Sequence, residues 1–257
     1  MGANAQIEVP AFTAGQVLTA AEMTQINTGI PVFATTVTRD AAFGGSGEKV
    51  LAQGQYAYIE ATSTLQVYTG SAWITAGVSG LVPITPTSVA VGSGTGSSSG
   101  NGLVTFAGVS SVSLNGVFSS TYNSYRIVFV PTTASTTGIN VTCRLRAAGT
   151  DNSTASSYLT QSIYGTSTSA LASQDIQAQW YIIDSYNTTS QAQAAATIEM
   201  YKPNQAVVTT QITNMYFNGL SAQRAGYQTA TTQFDGFSII PSTGTIGGTI
   251  SVYGYTL

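Results

Sequence analysis

Charged side chains are scarce in this sequence and make up only 7% of its 257 residues, against about 25% in an average soluble protein. No charged residue occurs between Glu60 and Arg126. Disordered chains are usually rich in charge and poor in aromatics, whereas this chain is 43% hydrophobic and contains fourteen tyrosines. The composition therefore predicts a folded, β-rich protein with neutral, hydrogen-bonding strand faces. Such faces also suit a protein whose surface contacts other protein subunits.

Histidine is absent and cysteine occurs once. The first absence excludes Ser-His-Asp and Cys-His triads, imidazole proton transfer and most zinc sites, and we expect neither a metal nor a cofactor. The single Cys143 excludes a disulfide framework within the chain, and its apolar surroundings in "INVTCRLRA" predict a small core residue.

Clustered positive charge and long apolar runs are missing too. Lys and Arg number only seven and the net charge is −3, which argues against binding to nucleic acid or to anionic membranes. No apolar run approaches the ~20 residues of a membrane-spanning helix. The first residues have neither the basic region nor the apolar core of a secretory signal.

The first thirty residues contain the clearest helix signal. Thr19 and Glu22 form a capping box, which predicts a helix over about residues 19–28. So short a helix is marginal alone in water, and must dock on another surface through its apolar side chains. Those side chains are Leu18, Met23 and Ile26, which we predict to anchor the chain to a partner.

The next segment, up to residue 78, alternates with period two and predicts β-hairpins within residues 54–75. The sequence "YTGSAW" places a turn at Gly70 and predicts that Tyr68 lies opposite Trp73. These two rings are open to two interpretations, structural packing in a small hairpin or a binding site. Residues 79–102 contain two prolines and then "VGSGTGSSSGNG", a composition that predicts a linker.

Residues 103–257 alternate apolar and polar side chains persistently and show no helical period. Ten strands are predicted, at residues 103–107, 111–118, 125–131, 139–147, 157–164, 176–184, 193–201, 206–217, 234–240 and 247–255. Many short strands with uneven connections, and no Cys–Trp–Cys pattern, favour a jelly-roll-like antiparallel β-sandwich over an immunoglobulin-like one. The fold class is therefore mainly β, with a short N-terminal helix, a small hairpin unit, a linker and a C-terminal sandwich.

Several stretches resemble virion proteins of tailed bacteriophages. The pieces "AGQVLTAAEM", "RDAAFGGSGEKV", "GQYAYIEAT" and "YTGSAW" resemble the N-terminal region of minor tail and fibre proteins. The pieces "YNSYRIVF", "RLRAAGTDNSTASSY" and "GGTISVYGY" are similar to distal domains of tail fibres. The resemblance implies a structural protein of the virion, usually a trimer, whose N-terminus binds the particle and whose C-terminus faces the host.

The resemblance leaves two locations on the particle open. A tail fibre or minor tail protein would bind a bacterial surface glycan or protein receptor through the C-terminal domain. A head fibre or capsid decoration protein would instead dress the shell. In both cases the resemblance implies a homotrimer. The neutral segment from residue 61 to 125 itself favours only self-association, with apolar residues such as Val104 and Phe106 packed around a shared axis.

Candidate receptor contacts are aromatic and arginine side chains of the sandwich. Sugar rings stack on aromatic faces, which selects Trp180, Tyr181, Tyr186, Tyr158 and Tyr164. Alternation puts Trp180 and Tyr181 on opposite faces, so one of the two belongs to the core.

Two arginines, Arg144 and Arg146, share one sheet face. They could meet a carboxylate of a glycan or of another subunit, or could simply face solvent. Paired carboxylates could still cleave a glycan without histidine, but no motif brings together any two of the candidates, Asp175, Asp184, Glu199 and Asp235. The expected function is therefore not enzymatic.

Overall fold

The computed structural model describes residues 14–19, 29–43, 50–77, 80–166, 168–188 and 194–256. The chain divides into two compact units, residues 1–78 and residues 79–257. Each unit has a hydrophobic core of its own.

Among the described residues, no helix is long and apolar enough to cross a membrane. The helix predicted over residues 19–28, with Met23 and Ile26, lies outside the described residues, and Leu18 is exposed.

The first unit is a four-stranded sheet with one short helix. In chain order its elements are β1 (Val32–Phe33), α1 (Thr36–Ala41), β2 (Tyr56–Ile59), a 3-10 turn (Glu60–Thr62), β3 (Thr64–Tyr68) and β4 (Trp73–Thr75). The strands lie in the order β1-β2-β3-β4, with β1 parallel to β2. The helix begins at a capping box in which Thr35 and Thr38 each bind the other's backbone. Tyr68 lies opposite Trp73, as predicted.

The second unit is built from strands alone. In chain order they are β5 (Leu81–Pro83), β6 (Ser88–Val91), β7 (Thr95–Ser98), β8 (Val104–Val109), β9 (Val112–Asn115), β10 (Ser124–Ala134), β11 (Ile139–Ala147), β12 (Thr150–Asp151), β13 (Tyr158–Thr166), β14 (Ser169–Gln177), β15 (Trp180–Tyr186), β16 (Ala195–Tyr201), β17 (Thr209–Phe217), β18 (Leu220–Gln228), β19 (Gly236–Pro241) and β20 (Ile246–Tyr255).

These strands form two sheets. The first sheet has the order β14-β13-β18-β17-β16-β10-β20-β8-β7, with β5 also paired to β20. The second sheet has the order β12-β11-β19-β9-β6, with β15 also paired to β11. The core between them is aromatic and aliphatic, and includes Tyr125, Phe129, Trp180 and Phe237.

Eight of the strands form a jelly roll. One half is β8-β20-β10-β16 and the other is β9-β19-β11-β15, so the chain passes back and forth between the sheets as two interleaved Greek keys require. The predicted jelly-roll-like sandwich is therefore confirmed. Two hairpins, β13–β14 and β17–β18, widen the first sheet beyond β16.

The predicted linker at residues 79–102 is wrong, because three strands lie inside it. β5 pairs with β20, β6 with β9 and β7 with β8. The glycines there permit close packing rather than flexibility. Gly94 has φ +68°, and a Cβ atom on it would lie 2.2 Å from the carbonyl oxygen of Ala107, where any side chain would clash.

The inner face of the widened part of the first sheet is rich in polar side chains. Seven buried polar side chains lie there, on β13, β17 and β18: Thr160, Ser162, Thr209, Gln211, Thr213, Arg224 and Gln228. A close-packed interior normally takes apolar side chains at such positions. The widened region therefore has a different kind of interior from the jelly roll beside it.

Candidate functional site

Three of the predicted aromatic contacts lie in the core. Tyr158, Trp180 and Tyr186 have at most 1% of their surface exposed. The rings of Tyr158 and Trp180 meet edge to face at 5.0 Å, and the ring of Tyr186 meets that of Phe217 at 5.3 Å. Aromatic pairs of this geometry stabilise the interior. The expectation that these three side chains contact a receptor is therefore corrected.

Buried Tyr158 also ties the strands together through its hydroxyl group. The hydroxyl accepts from the backbone N–H of Leu145 at 3.0 Å and donates to the carbonyl of Asn152 at 2.8 Å. Burial raises the pKa of this hydroxyl well above its usual value, outweighing the backbone hydrogen bond that lowers it. Its chemistry is that of a structural hydrogen bond inside the sandwich.

The two remaining aromatic candidates, Tyr164 and Tyr181, are half-buried. The hydroxyl of Tyr164 lies 2.6 Å from that of Ser173, and the guanidinium of Arg224 lies 5.4 Å from the centre of its ring. Tyr181 lies opposite Thr142 on the outer face of the second sheet. As predicted, Trp180 and Tyr181 point to opposite sides of their strand, and Trp180 is the core residue.

Arg146 lies on the outer face of the second sheet, where its guanidinium is engaged by partners from the chain itself. Its guanidinium forms an ion pair with Asp151 at 2.5 Å. It also donates to Ser113, Ser238, Asn115 and the carbonyl of Gly149. These contacts join four strands, since they reach β9, β11, β12 and β19. Arg146 therefore stabilises the sheet and is not available as a contact for a ligand.

Arg144 differs from its neighbour in having no such partners. Its Nε atom is buried without an acceptor, and its guanidinium forms no ion pair within the described part of the chain. Each of the other described arginines meets a carboxylate: Arg39 with Asp40, Arg126 with Glu199, Arg146 with Asp151 and Arg224 with Asp184. An unpaired, partly buried guanidinium is the group that a carboxylate ligand would satisfy best.

A second polar group lies on the outer face of the first sheet and was not predicted from the sequence. Arg126 and Glu199 lie directly opposite each other on β10 and β16 and form an ion pair at 2.5 Å. The hydroxyl of Tyr255 donates to the same carboxylate at 2.7 Å. Burial and this hydrogen bond raise the pKa of Tyr255. A shallow cavity of about 580 Å³ surrounds these groups.

Three of the four carboxylates considered for glycan cleavage, Asp184, Glu199 and Asp235, each have a different partner and do not share a site. Glu199 pairs with Arg126 on the outer face of the first sheet, whereas Asp184 on β15 pairs with Arg224. Asp235 accepts from the backbone of Ala148 at 3.0 Å. Within the described ranges, no group of three or more His, Cys, Asp or Glu residues could hold a metal ion.

In the first unit, Tyr68 and Trp73 belong to a packed cluster. Their rings lie 5.5 Å apart, Phe43 lies 5.9 Å from Trp73, and the guanidinium of Arg39 lies 4.6 Å from the indole centre. Arg39 is 5% exposed, so the cluster covers it. An open cavity of about 770 Å³ lies beside this cluster. Of the two interpretations, the contacts favour structural packing.

Comparison with known proteins adds no identification. No family model matches the chain, and no curated protein or solved structure matches it.

Proposed function

We propose that the chain is a non-enzymatic structural protein of a bacteriophage particle, a tail fibre or minor tail protein that attaches the particle to the host surface. The single observation that best supports this proposal is the division into two units, each with its own core. The sequences that resemble tail and fibre N-termini fall in the first unit, and the jelly roll forms the second. This is the plan of an anchor and a head.

In this proposal the first unit binds tail or capsid protein, and the second binds a bacterial glycan or protein receptor. The chain acts as a homotrimer, so that several weak sites engage together. Linked sites gain avidity of roughly 10²–10⁴ over a single one. Of the predicted receptor contacts, Arg144 and Tyr181 are the pair that a ligand on the outer face of the second sheet could reach.

The test is a phage whose protein ends after the first unit. Particles that carry residues 1–78 alone should assemble and adsorb to host cells poorly, and added purified full-length protein should compete with normal particles for the host surface. Normal adsorption by the shortened particles contradicts an attachment function. If the shortened particles do not assemble, the competition experiment still tests the proposal. Unchanged adsorption of normal particles at saturating concentrations of the added protein also contradicts an attachment function.

A head fibre or capsid decoration protein is the alternative, since the two-unit plan suits both locations. A gold label on the second unit, located on the particle by electron microscopy, distinguishes them. Label at the tail supports the attachment proposal, and label distributed over the capsid supports decoration.

A further inference from the structure

Exposed apolar side chains of the second unit concentrate on one of its two outer faces. Ten large hydrophobic residues are exposed in the described part of this unit. Six of them point outward from the first sheet: Leu81, Val130, Ile163, Ile176, Tyr216 and Tyr227. The other four lie in turns or on the inner side of β14, and none of the ten lies on the outer face of the second sheet. Concentration of this kind marks an interaction surface.

The residues on this face form continuous rows across the sheet. One row crosses seven strands and β5 in the order Ile176, Leu159, Tyr227, Thr210, Tyr201, Ser124, Tyr255 and Leu81. It contains no charged side chain and three tyrosines. Rows of aromatic and aliphatic side chains offer contact area without requiring a charged partner.

The face is also electrically neutral. Each of the seven strands from β14 to β20 in sheet order has four side chains on this face. Of these outward side chains, only Arg126 and Glu199 are charged. Those two neutralise each other at 2.5 Å. A surface with net charge of one sign repels a copy of itself. This face carries no net charge, so copies of it can approach one another without such repulsion.

The face is large enough for a stable contact. Strands spaced about 4.8 Å apart, with three two-residue steps of roughly 6.6 Å along each, give a flat area on the order of 600 Å². Specific interfaces bury about 600–1,000 Å² on each partner. The face can therefore supply most of the area that one copy needs to bind another.

We propose that the outer face of the first sheet is the surface through which this chain binds further copies of itself. The expected number of copies, three, rests on the proposed function, whereas the choice of face does not. Val104 and Phe106, expected at the shared axis, are instead buried in the chain's own core. Leu81 of the same neutral segment is exposed on this face. The outer face of the second sheet, with Arg144, then stays open to a ligand.

Two opposed pairs of substitutions test the choice of face. Ile163→Glu with Tyr216→Glu adds two charges to exposed positions of the first sheet, 62% and 49% exposed. Ser88→Glu with Ala90→Glu adds two charges to exposed positions on the outer face of the second sheet. The full-length protein should sediment at about 80 kDa, three times 26.5 kDa. The first pair should reduce it to a monomer and the second should leave it intact.

A label makes the test independent of any loss of folding. The only native thiol, Cys143, is buried, so a spin label on Ile163→Cys or on Ala90→Cys reports one site. Spin–spin distances between copies should be short from the first position and much longer from the second. A monomer by sedimentation, or the reverse pattern of distances, overturns this inference. A monomer on its own leaves the location on the virion untouched, because the gold label tests that separately.

Discussion

Arg224 on β18 and Asp184 on β15 form an ion pair between the two sheets. The guanidinium also donates to the carbonyl of Ile182 at 3.3 Å. The arginine side chain is 1% exposed, whereas the aspartate is 23% exposed. The widened part of the first sheet is therefore attached to β15 by a pair whose two members are buried to different degrees.

That difference predicts unequal effects of removing each partner. Asp184→Asn leaves a buried guanidinium with no counter-charge, and should lower the free energy of unfolding by about 3–5 kcal/mol. Arg224→Met leaves a carboxylate that water can reach, and should lower it by about 1–3 kcal/mol. Urea unfolding of both variants measures the difference. A larger loss for Arg224→Met contradicts the prediction.

Glycine substitutions distinguish packed strands from a linker at residues 79–102. Gly94→Ala and Gly102→Ala place a Cβ 2.2 Å from the carbonyl oxygen of Ala107 and 2.7 Å from that of Ile84. Both residues also have positive φ, so each variant should lose about 2 kcal/mol or more. Gly100→Ala is the control, since nothing lies within 4 Å of its Cβ position. Equal melting temperatures for all three would falsify the packed arrangement.

Alkaline stability should depend on buried tyrosines. Burial raises the pKa of Tyr186 to about 12, above its value of about 10 in an unfolded chain. Between these values the unfolded chain releases a proton that the folded chain keeps, so stability falls as pH rises. Tyr186→Phe should match the native protein's pH dependence near pH 7 and gain about 1.4 kcal/mol relative to it at pH 11. Unfolding curves of both proteins at pH 7 and pH 11 measure this gain. The prediction is contradicted if the difference in unfolding free energy between variant and native protein is the same at both pH values.

The unpaired Arg144 predicts a preference for acidic glycans. Methyl glucuronide should shift the NMR resonances of the β11 region, and methyl glucoside should do so much less. Arg144→Gln should weaken glucuronide binding at least tenfold, because a charge-assisted bidentate contact is lost. Lys202→Gln removes the same charge at an exposed position and is the control. Equal weakening by both variants indicates general attraction to negative charge, and rules out a site at Arg144.

The alternation of apolar and polar residues predicted the jelly-roll strands well, because those strands bury aliphatic and aromatic side chains on one face. β11 occupies the predicted residues 139–147. The same pattern failed for β18, whose inward side chains include Arg224 and Gln228. A strand with polar side chains on its inner face shows a weak hydrophobic period, so β18 was missed, whereas β13 and β17 match the strands predicted at residues 157–164 and 206–217.

The sequence also could not predict which aromatic side chains are exposed. Alternation shows which side of a strand a ring occupies, as it did for Trp180 and Tyr181, but not which side faces the core. The pairing of Arg126 with Glu199 spans 73 residues, and depends on the register of β10 and β16. Nothing local in the sequence encodes that register, so the polar cavity could not be predicted.

The position of β20 has a consequence for biosynthesis. This strand lies between β10 and β8 and also pairs with β5, although it is made after all of them. Until residues 246–255 have left the ribosome, β8 and β10 each have an open edge in the middle of the sheet. Contacts so distant in sequence slow folding, and open edges invite mispairing between nascent chains. Neighbouring ribosomes on one message would hold several such chains close together, and a chaperone that covers strand edges would raise the yield of folded protein.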